Sequence, residues 1–455
     1  MYILRSNYMK MMLIMITIAG LTTLPALTKP QETAPAAGET ISKTEKGPIL
    51  RLEQAVQAAL SKNRELAAAR NEIQALKGAR LQAGLLPDPE LSVEMENIGG
   101  TGIYTGTGLA ETTIALEQLI ELGGKRKKRS RIADAELQLA QYRYQSLERR
   151  ITADATTGFF DALAAQKRVA IAKELFRLST AFHRTVKERV NAGKVSPVEE
   201  TRASVVLSTA RIRLEKARRN LSISRSRLAA AIGENRLQFD SVAGELGGTL
   251  SVPNRDRLLH GLNENPEMVK WAALLEQSRS RLSLAKAGQV PDLALSAGFR
   301  KFRETDDAAY VVGVTLRLPV WNRNRGRIME ARSRAVQAKD RMTFSTINLR
   351  LEFQLLYEQL LLAVKEVTAV QTSMLPAARS AFEAVRMGYR EGKFSFIEVL
   401  DAQRTYFNVE MEYVDALARY HRLKAGVEAM TGRKLEEWNS QNMKDADSGE
   451  TGGEK

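Results

Sequence analysis

Residues Arg386–Arg404 read RMGYREGKFSFIEVLDAQR, a short glycine turn with helical periodicity on both sides. A second copy, ERVNAGKVSPVEETRA from Glu188, lies 199 positions earlier. Laid over one another without gaps, Gly193 meets Gly392, Lys194 meets Lys393, Ser196 meets Ser395 and Glu199 meets Glu398. Forty residues on, Gly233 meets Gly432 in the same register. A fixed offset over that length is the mark of an internal repeat. The sequence therefore predicts two similar halves, 50–240 and 241–437, each reversing sharply at one glycine tip.

Outward from the tips the pattern is helical for unusual lengths. One run extends from Lys125 to Val190 and another from Arg325 to Tyr389. Each reaches on the order of 100 Å at the α-helical rise. In the second, Leu349, Phe353, Leu356, Leu360, Ala363, Val367, Val370, Met374, Ala377 and Ala381 alternate spacings of four and three, a coiled-coil seam. Pro376 falls inside it and predicts a kink or interruption. After the tips the rhythm returns from Ala203 to Ala231, and 199 positions later from Ala402 to Met430.

Ahead of each long helix stand two extended segments. Leu293, Leu295, Ala297 and Phe299 alternate with Ala294, Ser296, Gly298 and Arg300; Val312, Val314, Leu316 and Leu318 alternate with Val311, Gly313, Thr315 and Arg317. The first half shows the same period at Leu91–Asn97 and Thr112–Leu122. Period two predicts strands with one apolar face. Leu52–Leu85 reads as one helix, stopped by Pro87 and Pro89.

At the N-terminus, Arg5 and Lys10 precede MMLIMITIAGL, the charged and apolar regions of a secretory signal over residues 1–28. The apolar run is short for a membrane span. Residues 29–49 read as a flexible linker and 438–455 as a polar, disordered tail. The chain has no cysteine, which excludes disulfides, thiol chemistry and lipid attachment at an N-terminal Cys. Three scattered histidines offer no metal-ligand spacing, and no nucleophile–base set or phosphate loop is present, so neither an enzyme nor a cofactor is expected. The formal charge is +15, with basic clusters at Lys125–Arg129 and Arg323, Arg325 and Arg327. Nucleic acid, lipid phosphates and a solvated helix start all suit such clusters; the absence of interleaved aromatics argues against nucleic acid.

An exported chain whose strands bear one apolar face has an edge problem that lipid makes prohibitive. Four strands are too few for a membrane barrel, which begins at about eight. Several chains are therefore expected to share one barrel, with lipid against Leu293, Leu295, Phe299, Val312, Val314 and Leu316. Thr315, Arg317 and Glu117 are expected to face water. A soluble sheet packed on the helices predicts the same alternation.

Over residues 50 to 433 the chain resembles the TolC-like family of outer-membrane efflux channels: duplicated halves, strand pairs, long helices and G-x-x-S tips. LIELGGKRKKR at Leu119–Arg129, with PDPELSVEMEN before it, is most similar to members serving cobalt-zinc-cadmium and copper-silver efflux. The resemblance implies a mainly α fold with a transmembrane β part: a homotrimer whose three times four strands close a 12-stranded barrel, and long helices forming a periplasmic tunnel. It implies an outer-membrane location, a periplasmic adaptor and an inner-membrane pump of the resistance-nodulation-division type. The family's gate residues fall on Glu398, Asp401 and Tyr389. The family prototype's gate arginine is replaced here by Phe394, leaving Lys393 or Arg390 as substitutes. Adaptor docking falls on Gly193, Lys194, Ser196, Gly392, Lys393 and Ser395.

The residues add a modest argument of their own. Glu398 and Asp401 are three apart, hence on one helix face, and copies around an axis make acidic rings suited to cations. First-turn carboxylates held by the helix N-terminus explain the same pattern. A drug-efflux or polypeptide-secretion duct of the same family, and an exported coiled-coil scaffold without a pore, are the competing functions.

Overall fold

A computed structural model describes residues 48–235, 238–248 and 250–438. The signal segment 1–28, nearly all of the linker 29–49, and the tail beyond Trp438 lie outside the described residues. Within them, β1 (Ile49–Leu50) precedes α1 (Leu52–Lys62), α2 (Arg64–Ala83), β2 (Glu90–Glu96), β3 (Glu111–Ile120), α3 (Lys125–Asn191) and α4 (Pro197–Ala231). Then come β4 (Ser241–Val242), α5 (Arg255–Asn263), α6 (Pro266–Ala287), β5 (Leu293–Phe302), β6 (Ala308–Leu316), α7 (Arg325–Ala369), α8 (Leu375–Arg390) and α9 (Phe396–Thr431).

The single helix expected over Leu52–Leu85 is two. Asn63 takes an extended conformation, and its side chain accepts from the Glu65 and Leu66 amides, capping α2. An asparagine at this point is a stronger N-cap than a helix-interior residue, so it ends α1 and starts α2.

Helix α3 runs unbroken for 67 residues, about 100 Å. Its counterpart is interrupted. Residues Val370–Met374 form a π turn between α7 and α8, with Pro376 just beyond. Proline has no amide to give the preceding turn, and the wider turn accommodates the missing bond. One surplus residue moves the seam. The buried positions after the turn include Phe382 and Tyr389, while Ala377 and Ala381 are exposed. The four-three rhythm read through Pro376 is therefore one residue out beyond it.

The seams of α4 and α9 fall as their spacing predicts: Ala203, Ala210, Leu214 and Leu228 are buried, as are Val409, Ala416, Tyr420 and Val427. The main core forms where α1, α3, α4, α5, α7 and α9 converge around Phe159, Leu228, Leu258, Phe353 and Leu360. Strands β1 and β4 pair in parallel beside it. Among the described residues, no helix is long and apolar enough to cross a membrane.

The four long strands form one antiparallel sheet in the order β2-β3-β5-β6. The central pairing, β3 with β5, joins the two halves, Ile114 opposite Phe299 and Ile120 opposite Leu293. This register puts Leu91, Val93, Ile114, Leu116, Leu295, Phe299, Val312 and Val314 on one face. Nothing among the described residues covers that face: Val312 is 81% exposed and Tyr310 94%. The other face carries Glu94, Glu96, Glu111, Glu117, Thr113, Ser296 and Thr315. There Arg300 bridges three strands, 2.8 Å from Glu111, 3.0 Å from Glu96 and 2.9 Å from the Thr113 hydroxyl.

Gly298 is where β5 approaches β3 most closely. A Cβ there would sit 2.7 Å from the Ala115 Cα, which is backbone and cannot swing aside. At Gly313 the nearest atom is the end of the Ser296 side chain. Gly298→Ala is expected to destabilise the sheet by roughly 1–3 kcal/mol, as overpacking does, and Gly313→Ala by much less. Thermal melts of the two variants in detergent check this; equal melting temperatures would contradict the close approach.

Candidate functional site: the paired helical tips and the open sheet

The two glycine reversals lie side by side, built by the same hydrogen bonds. After α3, the Gly193 amide donates to Val190 O (2.9 Å) and the Lys194 amide to Arg189 O (2.9 Å). After α8, the Gly392 amide donates to Tyr389 O (3.1 Å) and the Lys393 amide to Gly388 O (2.8 Å). These are Schellman closures, and they require a left-handed residue. Gly193 and Gly392 supply it with φ of 68° and 80°. Lys194 and Lys393 project into solvent beside them.

The helices that leave the tips are capped by Ser196 and Ser395. Ser196 Oγ accepts from the Val198 amide at 3.3 Å, with Pro197 in the first turn. Ser395 and Glu398 form a reciprocal capping box: the Ser395 amide donates to Glu398 Oε2 at 2.6 Å, and Ser395 Oγ accepts from the Glu398 amide at 3.4 Å. These bonds, the backbone amide first, hold the Glu398 carboxyl below its usual range. Because the shift is downward, the cap is intact above the ordinary glutamate range and is lost as pH falls through the lowered value. Asp401 is exposed and pairs with Arg404 at 2.9 Å, one turn along the same helix. Both carboxylates therefore stand on the exposed side of α9, each with a partner on its own chain.

Tyr389 is placed differently. It is 5% exposed, in a small core with Val186, Ala203, Phe396 and Val399 that joins the two hairpins. Phe182 stacks on Phe396 and tilts against Tyr389, both at 5.3 Å between ring centres. The Arg189 guanidinium lies over the Tyr389 ring, 4.8 Å from its centre. Burial raises the Tyr389 hydroxyl pKa; Arg189 opposes the shift and the nearby Glu199 carboxylate adds to it. One Glu199 oxygen and the Tyr389 hydroxyl are both buried without a hydrogen-bond partner among the described residues.

The substitute cations expected near Tyr389 take other places. Lys393 pairs with Glu391 at 2.8 Å, and Arg390 is exposed. The cation that meets the tyrosine, Arg189, comes from the first tip. Phe394 packs against Gly388, where a Cβ would come within 2.8 Å of its Cε2. Arg189 and Glu199 were missed because the repeat aligns tip with tip in sequence, whereas the packing sets one against the other.

At the sheet, the six expected lipid-facing residues share one face. Leu293 pairs with Leu316 and Leu295 with Val314, while Phe299 pairs with Tyr310 and Val312 with Ala297. Among the described residues, no cluster of His, Cys, Asp or Glu is arranged to hold a metal ion.

The family model described as "Outer membrane efflux protein" matches residues 55–234 and 260–433. The chain belongs to this family. It is 32% identical over 387 residues to the cobalt-zinc-cadmium resistance protein CzcC of Cupriavidus metallidurans, covering 85% of this chain and 91% of that one. It is 25% identical over 265 residues to the nickel and cobalt resistance protein CnrC of the same organism, covering 58% of this chain and 62% of that one. The fold is similar to that of the solved channel CusC, with a TM-score of 0.71 at 16% identity over 89% of this chain and 99% of the other. The outer membrane channel CmeC of Campylobacter jejuni also gives 0.71 at 16% identity, over 91% and 97%. As an outer membrane efflux protein, the chain belongs at the outer membrane. The expected channel class and outer-membrane location hold, and the competing scaffold without a pore does not fit this family.

Proposed function

We propose that this efflux protein is the passive exit duct of a tripartite system and that it assembles as a homotrimer around one 12-stranded barrel. The observation that carries this is the uncovered sheet. Strands β2 and β6 each pair on one side only, and an apolar face spans all four strands. Neither open edges nor four strands suit a lipid bilayer, and copies joined β6 to β2 remove both faults. Three times four strands gives the proposed twelve.

The helices support the same assembly. On α4, Val198, Val205 and Ile212 are exposed at intervals of seven. On α7, Phe344, Ile347, Leu351, Leu355 and Leu362 are exposed along one stripe. Heptad-spaced apolar side chains left in water are unfilled coiled-coil seams, suited to a neighbouring copy.

The tips, with Gly193, Lys194, Ser196, Gly392, Lys393 and Ser395, are the proposed docking surface for a periplasmic adaptor linked to an inner-membrane pump. Glu398 and Asp401 are the proposed acidic rings at the duct's periplasmic mouth, and Tyr389 ties that mouth shut. The cargo proposed is divalent heavy-metal cations, in line with the resistance named for the relatives. The protein would pass them without binding them in a built site.

The test is electrical. Purified protein in planar bilayers is expected to pass ions with cation preference. Glu398→Ala with Asp401→Ala is expected to lower that preference at least severalfold at low salt, where screening is weakest. Unchanged selectivity would leave Glu398 with its capping role alone.

A further inference from the structure

We infer that the turn from β6 into α7 is a docking surface for anionic phospholipid headgroups at the helix-side rim of the bilayer. This rests on the barrel reading above. Leu318, Val320 and Trp321 follow the strand directly, and all three are exposed, Trp321 at 95%. Arg323, Arg325 and Arg327 come next, exposed and without an ion pair among the described residues. Apolar sheet, then tryptophan, then arginines is the order a membrane–water interface demands. Aromatic rings sit at headgroup level, and cations lie just beyond, against phosphates.

The turn is held in shape before any lipid arrives. Asn324 adopts a left-handed conformation with φ of 54°, and its Nδ2 donates to Ala285 O at 2.7 Å. Gln289 Nε2, just past α6, donates to Arg323 O at 3.1 Å, so the end of α6 and the residues after it hold the turn from behind. The other half supplies matching charge at the same end of the sheet. There Glu121 and Asp292 neutralise Arg129 and Lys125, leaving Arg126 and Lys127 exposed. Both clusters thus keep uncompensated positive charge at one level, where an apolar belt ends. Nucleic acid would be served by the charge but not by the adjoining Leu318, Val320 and Trp321.

The experiment uses the full-length chain reconstituted in phosphatidylcholine vesicles doped with dibrominated phosphatidylglycerol, or with dibrominated phosphatidylcholine at the same mole fraction. The Trp321 signal is the difference between wild type and Trp321→Phe. The brominated anionic lipid is expected to quench it with a relative association constant roughly fivefold higher or more, about the worth of one interfacial arginine. Arg323→Gln with Arg325→Gln and Arg327→Gln should bring the ratio close to one. Equal quenching by both lipids in the wild type would overturn the inference. So would a preference erased by inorganic phosphate but not by chloride of equal ionic strength, which marks a free-phosphate site. Trp321 emission quenched by aqueous iodide and by neither lipid, in protein that floats with the vesicles, also overturns it. Protein that fails to float at all defeats the barrel reading itself.

Discussion

Val314→Arg is expected to leave the protein unable to assemble in the outer membrane, whereas Thr315→Arg, one residue on, is expected to be tolerated. Val314 lies on β6 opposite Leu295, on the uncovered apolar face, while Thr315 points to the face that carries the glutamates. An arginine on the lipid face of a barrel costs from about 0–1 kcal/mol near the interfaces to roughly 2–4 kcal/mol at the midplane, and three copies per assembly multiply that cost. Semi-native electrophoresis of outer-membrane fractions reads the result as loss of the assembled band for the first variant only. Equal assembly of both variants would mean that lipid does not meet this face.

The second large effect is at the tips. Arg189→Ala with Tyr389→Ala removes the stacked pair by which one hairpin holds the other. Truncating a buried aromatic costs about 3–5 kcal/mol, and here the loss falls on the small core around Val186, Phe396 and Val399 that joins the reversals. The expected outcome is a severalfold higher single-channel conductance with the overall melting temperature little changed, because the main core around Phe353 and Leu360 is remote from the tips. Conductance equal to wild type would show that this contact does not hold the mouth narrow. Lys393→Ala is the matched control, since the Lys393 ammonium pairs with Glu391, away from Tyr389.

Most of the architecture is legible in the residues because its determinants are local. Period-two alternation fixes which side chains of β5 and β6 share a face. Gly193 and Gly392 mark the reversals, since a Schellman closure needs a left-handed residue, and Ser196 and Ser395 mark the helix starts. What escaped was set by longer-range geometry. Pairing of β3 with β5, not merely of each strand with its sequence neighbour, joins the halves, and no periodicity encodes it. The seam beyond Pro376 was read straight through, although the proline that predicts a break also implies a surplus residue. Asn63 was a cap hidden in a helical pattern. The unfilled stripes on α4 and α7 were present as heptads, but a heptad does not say whether its partner is in the same chain.

The π turn has a consequence for how the two arms share movement. Helix α3 is hydrogen-bonded in one register for all its 67 residues, so bending it anywhere means breaking regular bonds. The second arm already gives up regularity at Val370–Met374. It therefore has a built-in elbow about two-thirds of the way from the sheet to the tip, and the first arm is a stiff strut. On the proposed gate, opening that parts Tyr389 from Arg189 is expected to swing the hinged limb, with Glu398 and Asp401 on it, while the first reversal stays as a fixed post.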